Sequence, residues 1–361
     1  MPAVNVRVPA RGVWSAARRQ RWWVTRILVL PLHMLAYAVA VFFLIRLIPG
    51  DPVTTLMGSQ PVTPENMAAA REALGLTGSP IDQLGRFLGH LVRLDFGSSM
   101  ITGVPVLDDI GQRLPQTVEI AMIAMAGSVL LTLVVSFFVV LKPDHVVSRI
   151  LLPYTRAAGA VPDFVLGVAG IFVFYATLRI VPAPLGLYDP LLDAPDKITS
   201  FPFLDAVLSG NGELVSSMAG HLLLPEIVLV VSYSPLLMKL FIRALEDAID
   251  APATRFRIAS GASRRAVLLS VARRAAPAAV AMFGTLFGYL LGGAVVVEQL
   301  FGMPGMGQYG VNAVNTSDLV ALQGFLLVVA ALSLVVFLLV DIANMLIDPR
   351  RRPGLAKEDG S

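Results

Sequence analysis

Six long apolar stretches alternate with polar segments along the chain. They cover residues 27–48, 118–141, 157–180, 221–243, 277–299 and 319–347. A helix that crosses the hydrocarbon core of a bilayer needs about 20 mostly apolar residues, and each stretch has that length. The pattern predicts an all-α membrane protein with six transmembrane helices. The first stretch runs into Arg46, Pro49 and Asp51 without a small-residue cleavage site, so we expect a span rather than a removable signal peptide.

Composition supports the same class of protein. Apolar residues make up 56% of the 361 residues and charged residues 15%, whereas soluble domains have about 45–50% and about 25%. The mean hydropathy of +0.73 agrees. There is no cysteine, which excludes disulfide scaffolds, thiolate zinc sites and cysteine nucleophiles. A net charge of +3 gives no support for nucleic-acid binding.

Lysine and arginine concentrate on one side of the predicted topology. Nineteen of the 28 lie in the tail 1–26, between the second and third spans, between the fourth and fifth spans, and in the tail 348–361. Basic residues mark the side that stays in the cytoplasm. We therefore expect both termini to be cytoplasmic.

The first external segment, residues 49–117, is long enough to have structure of its own. Thr63-Pro64-Glu65 predicts the start of one short helix, and Ser79-Pro80 the start of a second. The second helix has one predicted apolar face, made of Ile81, Leu84, Leu88 and Leu91. A structural cap on the spans and a docking surface for a soluble partner both fit this segment.

Another external segment, Phe301-Gly-Met-Pro-Gly-Met-Gly307, lies between the fifth and sixth spans. Three glycines and a proline exclude a continuous helix here. Close backbone approach at the rim of a pathway and a plain tight turn are both compatible with this composition.

The basic segment 244–276 is too polar to cross a membrane. Thr254 is predicted to cap a short helix through Ser260, and Gly261 to end it. Ser263 is then expected to cap a helix over 264–276, before Pro277 begins the fifth span. Two short helices that meet at a glycine form an elbow able to transmit force from a cytosolic partner. The orientation rule alone also explains the basic residues.

Several segments, in order, resemble the permeases of dipeptide/oligopeptide/nickel ABC importers. The most specific is Leu290-Leu-Gly-Gly-Ala-Val-Val-Val-Glu298, followed by Phe301, Pro304-Gly305 and Gly307. The others are residues 44–52, 94–99, 105–106, 113–119, 161–167, 323–324, 339–341 and 348–350. The resemblance covers about residues 27–352. It implies the type I ABC importer permease fold, with six transmembrane helices, a structured extracytoplasmic loop after the first, and a transmembrane core over 118–347.

In this family, the loop corresponding to 244–276 couples the permease to an ATPase subunit. The resemblance assigns this role to Thr254, Arg255, Phe256, Arg257, Ile258, Ala259, Ser260, Gly261, Ala262 and Ser263. Phe256 and Ile258 depart from the family pattern, which has small or polar residues there. Closure of two ATPases is expected to move these elbows and switch the cavity between outward and inward access. The implied partners are a second homologous permease, two ABC ATPase subunits, an extracytoplasmic substrate-binding protein and the lipid bilayer, without nucleic acid.

The sequence contains no candidate energy-converting site of its own. A phosphate-binding G-x-x-x-x-G-K-[ST] loop is absent, and the four histidines show no metal-ligand spacing. No serine, histidine and acid grouping indicates hydrolysis. We expect a chain that is not an enzyme and binds no cofactor, with ATP and Mg²⁺ held by the ATPase subunits.

Ionisable residues inside spans are candidate functional sites. Arg46, Glu119 and Arg243 lie near span ends and can snorkel. The remaining ones are Asp163, Glu226, Lys239, Glu298 and Asp341. Candidate pathway-lining residues are Asp163, Gly292, Gly293 and Glu298. Hydrogen bonds between helices and subunit packing are alternative roles for them.

The leading hypothesis is a permease subunit of an ATP-driven peptide importer in the bacterial plasma (inner) membrane. Nickel chelates, haem and glutathione are alternative cargoes within this class. An ion-coupled secondary transporter predicts inverted repeats with paired broken helices, which the sequence does not display. A structural scaffold would need neither Asp163 nor the glycine-rich outer segment.

Overall fold

The computed structural model describes residues 13–47, 53, 57, 63–73, 75–156 and 161–347. Several predictions fall wholly or partly outside these residues. They concern Pro49, Asp51, the start of the third span, the C-terminal tail 348–361 and the first part of the basic tail 1–26. We call the end of the bundle near residue 300 the outer end, and the end near residue 260 the inner end, following the predicted topology.

The described part of the chain is helical. Its twelve α-helices are Val13–Arg46 (α1), Pro64–Ala73 (α2), Pro80–Val92 (α3), Val106–Leu141 (α4), Val146–Arg156 (α5), Asp163–Gly170 (α6), Pro202–Leu208 (α7), Gly212–Asp250 (α8), Pro252–Ala259 (α9), Arg264–Leu300 (α10), Met306–Asn315 (α11) and Leu319–Ile347 (α12). Five of them, α1, α4, α8, α10 and α12, are long and apolar enough to cross a membrane. The all-α membrane fold is therefore confirmed.

The third predicted span, residues 157–180, differs from a single long helix. Its described helical part is α6, which continues as a π-helix over Ile171–Thr177. These 15 residues reach about 20 Å, less than the hydrocarbon thickness of about 30 Å. Pro162 precedes α6 and disfavours a helical conformation at the residue before it, so a helix cannot easily run through this point. The count of six continuous spans stays a prediction.

Four of the long helices, α1, α4, α8 and α10, extend well beyond their apolar stretches. The prediction that Pro277 begins the fifth span is wrong, because α10 runs unbroken from Arg264 through Pro277. Val271 and Ala275, in its first turns, are fully packed against the end of α8. A proline inside a helix removes one hydrogen bond, and we attribute the continuity of the helix to this packing.

The core lies around α8. Helices α4, α6 and α10 pack against it, α12 packs on α10, and α1 packs on α12. Gly127 of α4 lies so close to Val230 that an added Cβ would be 2.7 Å from a methyl group. Small residues at such a crossing allow two membrane helices to approach closely. The central cluster includes the fully buried Leu229, Leu286 and Leu290.

The two predicted helices of the first external segment are confirmed. Thr63 Oγ1 accepts a hydrogen bond from Asn66 N (3.2 Å) at the start of α2. Ser79 and Asp82 form a reciprocal capping box at the start of α3. The hydrogen bonds from the Ser79 side chain and backbone hold the pKa of Asp82 below its ordinary value.

The packed face of α3 agrees only in part with the predicted face. Leu88 and Leu91 pack with Phe87 against α1 and α12, whereas Ile81 is 80% exposed. Ile81 lies in the first turn of α3. Through the other residues, α3 covers the outer end of α1.

Candidate functional site

The elbow between α8 and α10 is built around the short helix α9. The prediction that Thr254 caps this helix is wrong: Ala251 is the capping position and Pro252 is the first helical residue, where proline's missing N–H costs nothing. Thr254 lies inside the helix and is only 1% exposed. Its Oγ1 donates a hydrogen bond to Ala248 O (2.6 Å), which joins α9 to the last turn of α8.

Arg274 connects the contact between Thr254 and Ala248 to the first part of α10. Its Nη2 donates to Ala248 O (3.2 Å) and to Thr254 Oγ1. Its Nε donates to Ser270 O (3.3 Å) on its own helix. The end of α8, the helix α9 and the beginning of α10 are therefore held together as one unit.

Gly261 ends α9 as predicted. Gly261 N donates to Ile258 O and Ala262 N to Arg257 O, both at 3.0 Å, which is the Schellman arrangement of a helix C-terminus. The motif requires a left-handed residue, and Gly261 has φ +74°. Ser263 then caps α10 by accepting from Ala266 N (3.3 Å), also as predicted.

The projecting face of the elbow is exposed. Residues 255–261 are all exposed, Ala262 is half-buried and Ser263 is exposed. Two apolar side chains of this exposed helix stand out, on opposite sides of α9 because they are two residues apart: Phe256 is 72% exposed and Ile258 is 61% exposed. Arg255 and Arg257 flank them. A rigid support thus presents an apolar pair surrounded by positive charge.

A second site is an open cavity of about 370 Å³ near the middle of α8 and α10. Asp163 lies there, at the beginning of α6. Its Oδ2 accepts a hydrogen bond from Tyr233 Oη (2.7 Å), and its Oδ1 accepts from Phe164 N (2.9 Å). The rings of Tyr233 and Tyr289 stack with their centroids 6.3 Å apart. Ser232 completes the polar lining.

The two candidate glycines differ in their surroundings. Gly293 is buried, and a Cβ added to it would lie 2.6 Å from Tyr233 Oη. The absence of a side chain therefore allows Tyr233 to lie against α10. Gly292 is exposed, and an added Cβ would meet nothing within 4 Å. It lies three residues from Tyr289, on the same side of α10.

Glu298 is fully buried. Its Oε1 accepts from Thr117 Oγ1 (2.5 Å) on α4, and its Oε2 accepts from Gly307 N (2.6 Å) and Gln308 N (3.3 Å) at the beginning of α11. Thr117 Oγ1 also accepts from Met306 N (2.8 Å). A carboxylate is favoured at the positive end of a helix. This placement fits the hydrogen-bonding role considered above, and substrate contact at Glu298 stays a prediction.

Glu119 anchors the outer end in the same way. Its two oxygens accept from Phe203 N (2.9 Å) and Leu204 N (2.8 Å) in the first turn of α7. Glu226 is 9% exposed, and neither of its oxygens has a hydrogen-bond partner among the described residues. Glu119 and Glu298 therefore anchor helices, whereas Asp163 lies in the central cavity.

Sequence reasoning missed four side chains that complete these sites: Thr117, Tyr233, Arg274 and Tyr289. Arg274 counted only as one of several basic residues, and Thr117 only as part of a family segment. The two tyrosines carried a detectable signal, since each places a hydroxyl inside an otherwise apolar span. Their partnership with Asp163 depends on contacts between residues distant in the chain.

The chain is similar to known transport permeases along most of its length. Residues 132–353 match the model of the family described as binding-protein-dependent transport system inner membrane component. The chain is 30% identical over 338 residues to a probable D,D-dipeptide transport system permease of Escherichia coli K12, covering 93% of this chain and 97% of the relative. It is 31% identical over 312 residues to a di/tripeptide transport system permease of Pseudomonas aeruginosa UCBPP-PA14, covering 86% and 92% of the two chains.

Proposed function

The chain belongs to the family of binding-protein-dependent transport system inner membrane components and is a permease of the peptide ABC importer type, and on this premise we propose that it forms the membrane pathway of an ATP-driven importer of di- or oligopeptides. Relatives named for dipeptide and di/tripeptide transport favour peptides over nickel chelates, haem or glutathione. In this proposal a second permease completes the pathway, two ATPase subunits bind ATP and Mg²⁺, and an extracytoplasmic binding protein delivers the peptide. The chain lies in a bacterial inner membrane with both termini in the cytoplasm.

The observation that carries the proposal is the exposed apolar pair on the elbow. Phe256 and Ile258 lie on a helix between two long spans, on the side that the basic residues mark as cytoplasmic. Exposed large apolar side chains gain about 1.5–3 kcal/mol each when a partner covers them fully. Aromatic anchors that enter a pocket of the partner carry much of the energy of protein interfaces. We assign these two side chains to the contact with an ATPase subunit.

Force applied to the elbow would reach the central cavity through α8 and α10. Thr254 joins α9 to α8 through Ala248 O, and Arg274 joins α10 to α9 through Thr254 Oγ1. Tyr233 lies 17 residues before the end of α8, about 26 Å from the elbow at the rise of an α-helix. Tyr289 lies on α10, and its ring contacts that of Tyr233. A displacement of the elbow therefore moves two walls of the cavity together.

The candidate pathway residues take separate parts in this proposal. We assign two of them to the pathway lining: Asp163, which shares the cavity with the two tyrosines, and the exposed Gly292, on the same side of α10 as Tyr289. Gly293 and Glu298 shape its walls, Gly293 by admitting Tyr233 and Glu298 by holding α11.

A substitution of Gly261 tests the elbow. Gly261→Leu places a branched side chain at φ +74°, which costs about 1–2 kcal/mol for an L-residue and changes the end of α9. We expect normal membrane insertion, retained ATP hydrolysis, and peptide uptake into proteoliposomes reduced at least severalfold per ATP hydrolysed. Gly261→Asn is the matched control, because asparagine adopts this conformation more readily. Normal uptake by Gly261→Leu would refute the role of the elbow.

A second experiment tests the ATPase contact directly. The double substitution Phe256→Ser and Ile258→Ser removes the apolar pair without touching Thr254, and it should reduce the ATPase subunit recovered with the tagged permease. Ile198→Ser is the control, because Ile198 is similarly exposed (57%) but lies at the outer end. Equal recovery from the two variants would show that the pair does not hold the ATPase.

A further inference from the structure

The cavity beside Asp163 opens on the surface of the described chain, where Val161, Pro162 and Tyr289 are exposed. A carboxylate exposed to hydrocarbon at the middle of a bilayer costs several kcal/mol, so such groups face water or protein. Ser232 lines the same wall, and Lys239, seven residues further along α8 and on the same side of the helix, is exposed. This side of α8 therefore borders an aqueous space or a protein surface.

Asp163 is positioned to receive a cation. Its two oxygens accept one hydrogen bond each, from Tyr233 Oη and Phe164 N, and a carboxylate can accept about four. Its side chain is half-buried. Among the described residues no lysine or arginine forms an ion pair with it; the described ion pair joins His90 and Asp95, at the outer end.

The rings next to Asp163 add a second attraction for positive charge. Tyr233 and Tyr289 are nearly parallel, with 20° between their planes, and Tyr289 is 53% exposed. The face of an aromatic ring attracts ammonium groups, and the attraction grows when water is excluded. Gly293 allows this arrangement, because any side chain there would displace Tyr233.

We propose that this cavity binds the α-ammonium group of the peptide as it passes, with Asp163 as the counter-ion and Tyr289 as the exposed aromatic wall. The inference rests on the proposed function, since the α-ammonium is the one cation that all unmodified peptides share. A volume of about 370 Å³ lies within the range of sites for small organic ligands. Lys239, the nearest lysine along α8, lies about 9 Å from Tyr233 in the direction of the helix axis.

The test uses the purified importer complex without its binding protein and three radiolabelled probes: trialanine, trialanine amide and N-acetyl trialanine. Equilibrium dialysis should show that wild type binds the first two, which keep the ammonium group, about tenfold more tightly than the third. Asp163→Asn should remove this preference, and Asp163→Glu should restore part of it. Asp193→Asn, a substitution of an exposed aspartate in the outer segment, should keep the wild-type preference.

Uptake by the same complexes, reconstituted with the binding protein, distinguishes a failure of the proposed import function from a failure of the proposed site at Asp163. Absence of uptake of any peptide by wild type would refute the proposed function and the site with it. Normal wild-type uptake with an unchanged probe preference in Asp163→Asn would refute the site alone. Loss of the second permease from Asp163→Asn during purification would also overturn the proposal, because the carboxylate would then hold a neighbouring subunit. Equal binding of all three probes to wild type would also overturn the proposal.

Discussion

Replacing Glu298 with alanine should loosen the outer end of the bundle, because this carboxylate joins three helices. It lies on α10, accepts from Thr117 on α4, and accepts from Gly307 and Gln308 at the beginning of α11. The side chain is completely buried, so bulk water does not replace these bonds. The substitution tests whether Glu298 acts by holding the structure or by contacting the cargo.

The expected magnitude follows from the groups left without a partner. Glu298→Ala leaves the buried hydroxyl of Thr117 and the buried N–H of Gly307 without an acceptor. Each unpaired group costs about 1–3 kcal/mol of stability. The bond from Gln308 N is longer (3.3 Å) and only partly buried, so it adds little. We expect a loss of about 3 kcal/mol. Glu298→Gln keeps one acceptor for Gly307 but turns an amide N–H₂ toward Thr117, and should cost about 1–2 kcal/mol.

Hydrogen exchange of the purified complex measures this loss locally. A loss of about 3 kcal/mol corresponds to amide exchange at residues 306–308 that is faster on the order of a hundredfold. Glu213→Ala is the control, because Glu213 also lies in the first turn of a helix but is exposed. It should leave exchange at residues 306–308 unchanged.

Two results would refute this reasoning. Wild-type exchange and an unchanged unfolding temperature in Glu298→Ala would show that the carboxylate does not anchor α11. Wild-type exchange together with a loss of uptake would instead identify Glu298 as a pathway residue. The second result would support the role considered from the sequence alone.

Three further predictions concern other parts of the structure. Thr254→Val should weaken the elbow by about 1–2 kcal/mol through its lost hydrogen bond, seen as faster tryptic cleavage between α8 and α10. Gly293→Ala should lower the unfolding temperature by several degrees because its methyl group collides with Tyr233, whereas Gly292→Ala, where the added methyl meets open space, should not. Folding lowers the pKa of Asp82, so this carboxylate stabilises α3 above the ordinary aspartate pKa of about 4, and the stabilisation is lost as the pH falls below that value. Amide exchange at the start of α3 should therefore become faster between pH 5 and pH 3. Asp82→Asn should abolish this pH dependence.

The sequence was sufficient for features that depend on neighbouring residues. The helix starts at Pro64 and Pro80, the end of α9 at Gly261 and the cap at Ser263 were all predicted from a few adjacent residues and are confirmed. Hydrogen bonds within one turn decide these features. Family membership was also predicted correctly, because several motifs occur in the expected order.

Sequence reasoning failed where packing overrides local preference. Pro277 was expected to end one helix and begin another, but α10 continues through it while its first turns pack against α8. Thr254 was expected to be a cap, since threonine commonly caps helices. The nearby Ala248 carbonyl and Arg274 instead place it inside the elbow. Local preferences of about 1 kcal/mol are smaller than the energy of such packing.

By itself, the sequence determined the number of long apolar stretches, the side on which basic residues accumulate, and the polar residues that each span carries. Only the tertiary structure decided which of those residues are partners: Glu298 is bonded to Thr117, 181 residues earlier, and Asp163 to Tyr233, 70 residues later. The physical reason is the range of the forces involved. Hydrophobicity and helix capping act on each segment separately, whereas a buried hydrogen bond exists only after helix packing has brought its donor and acceptor within about 3 Å.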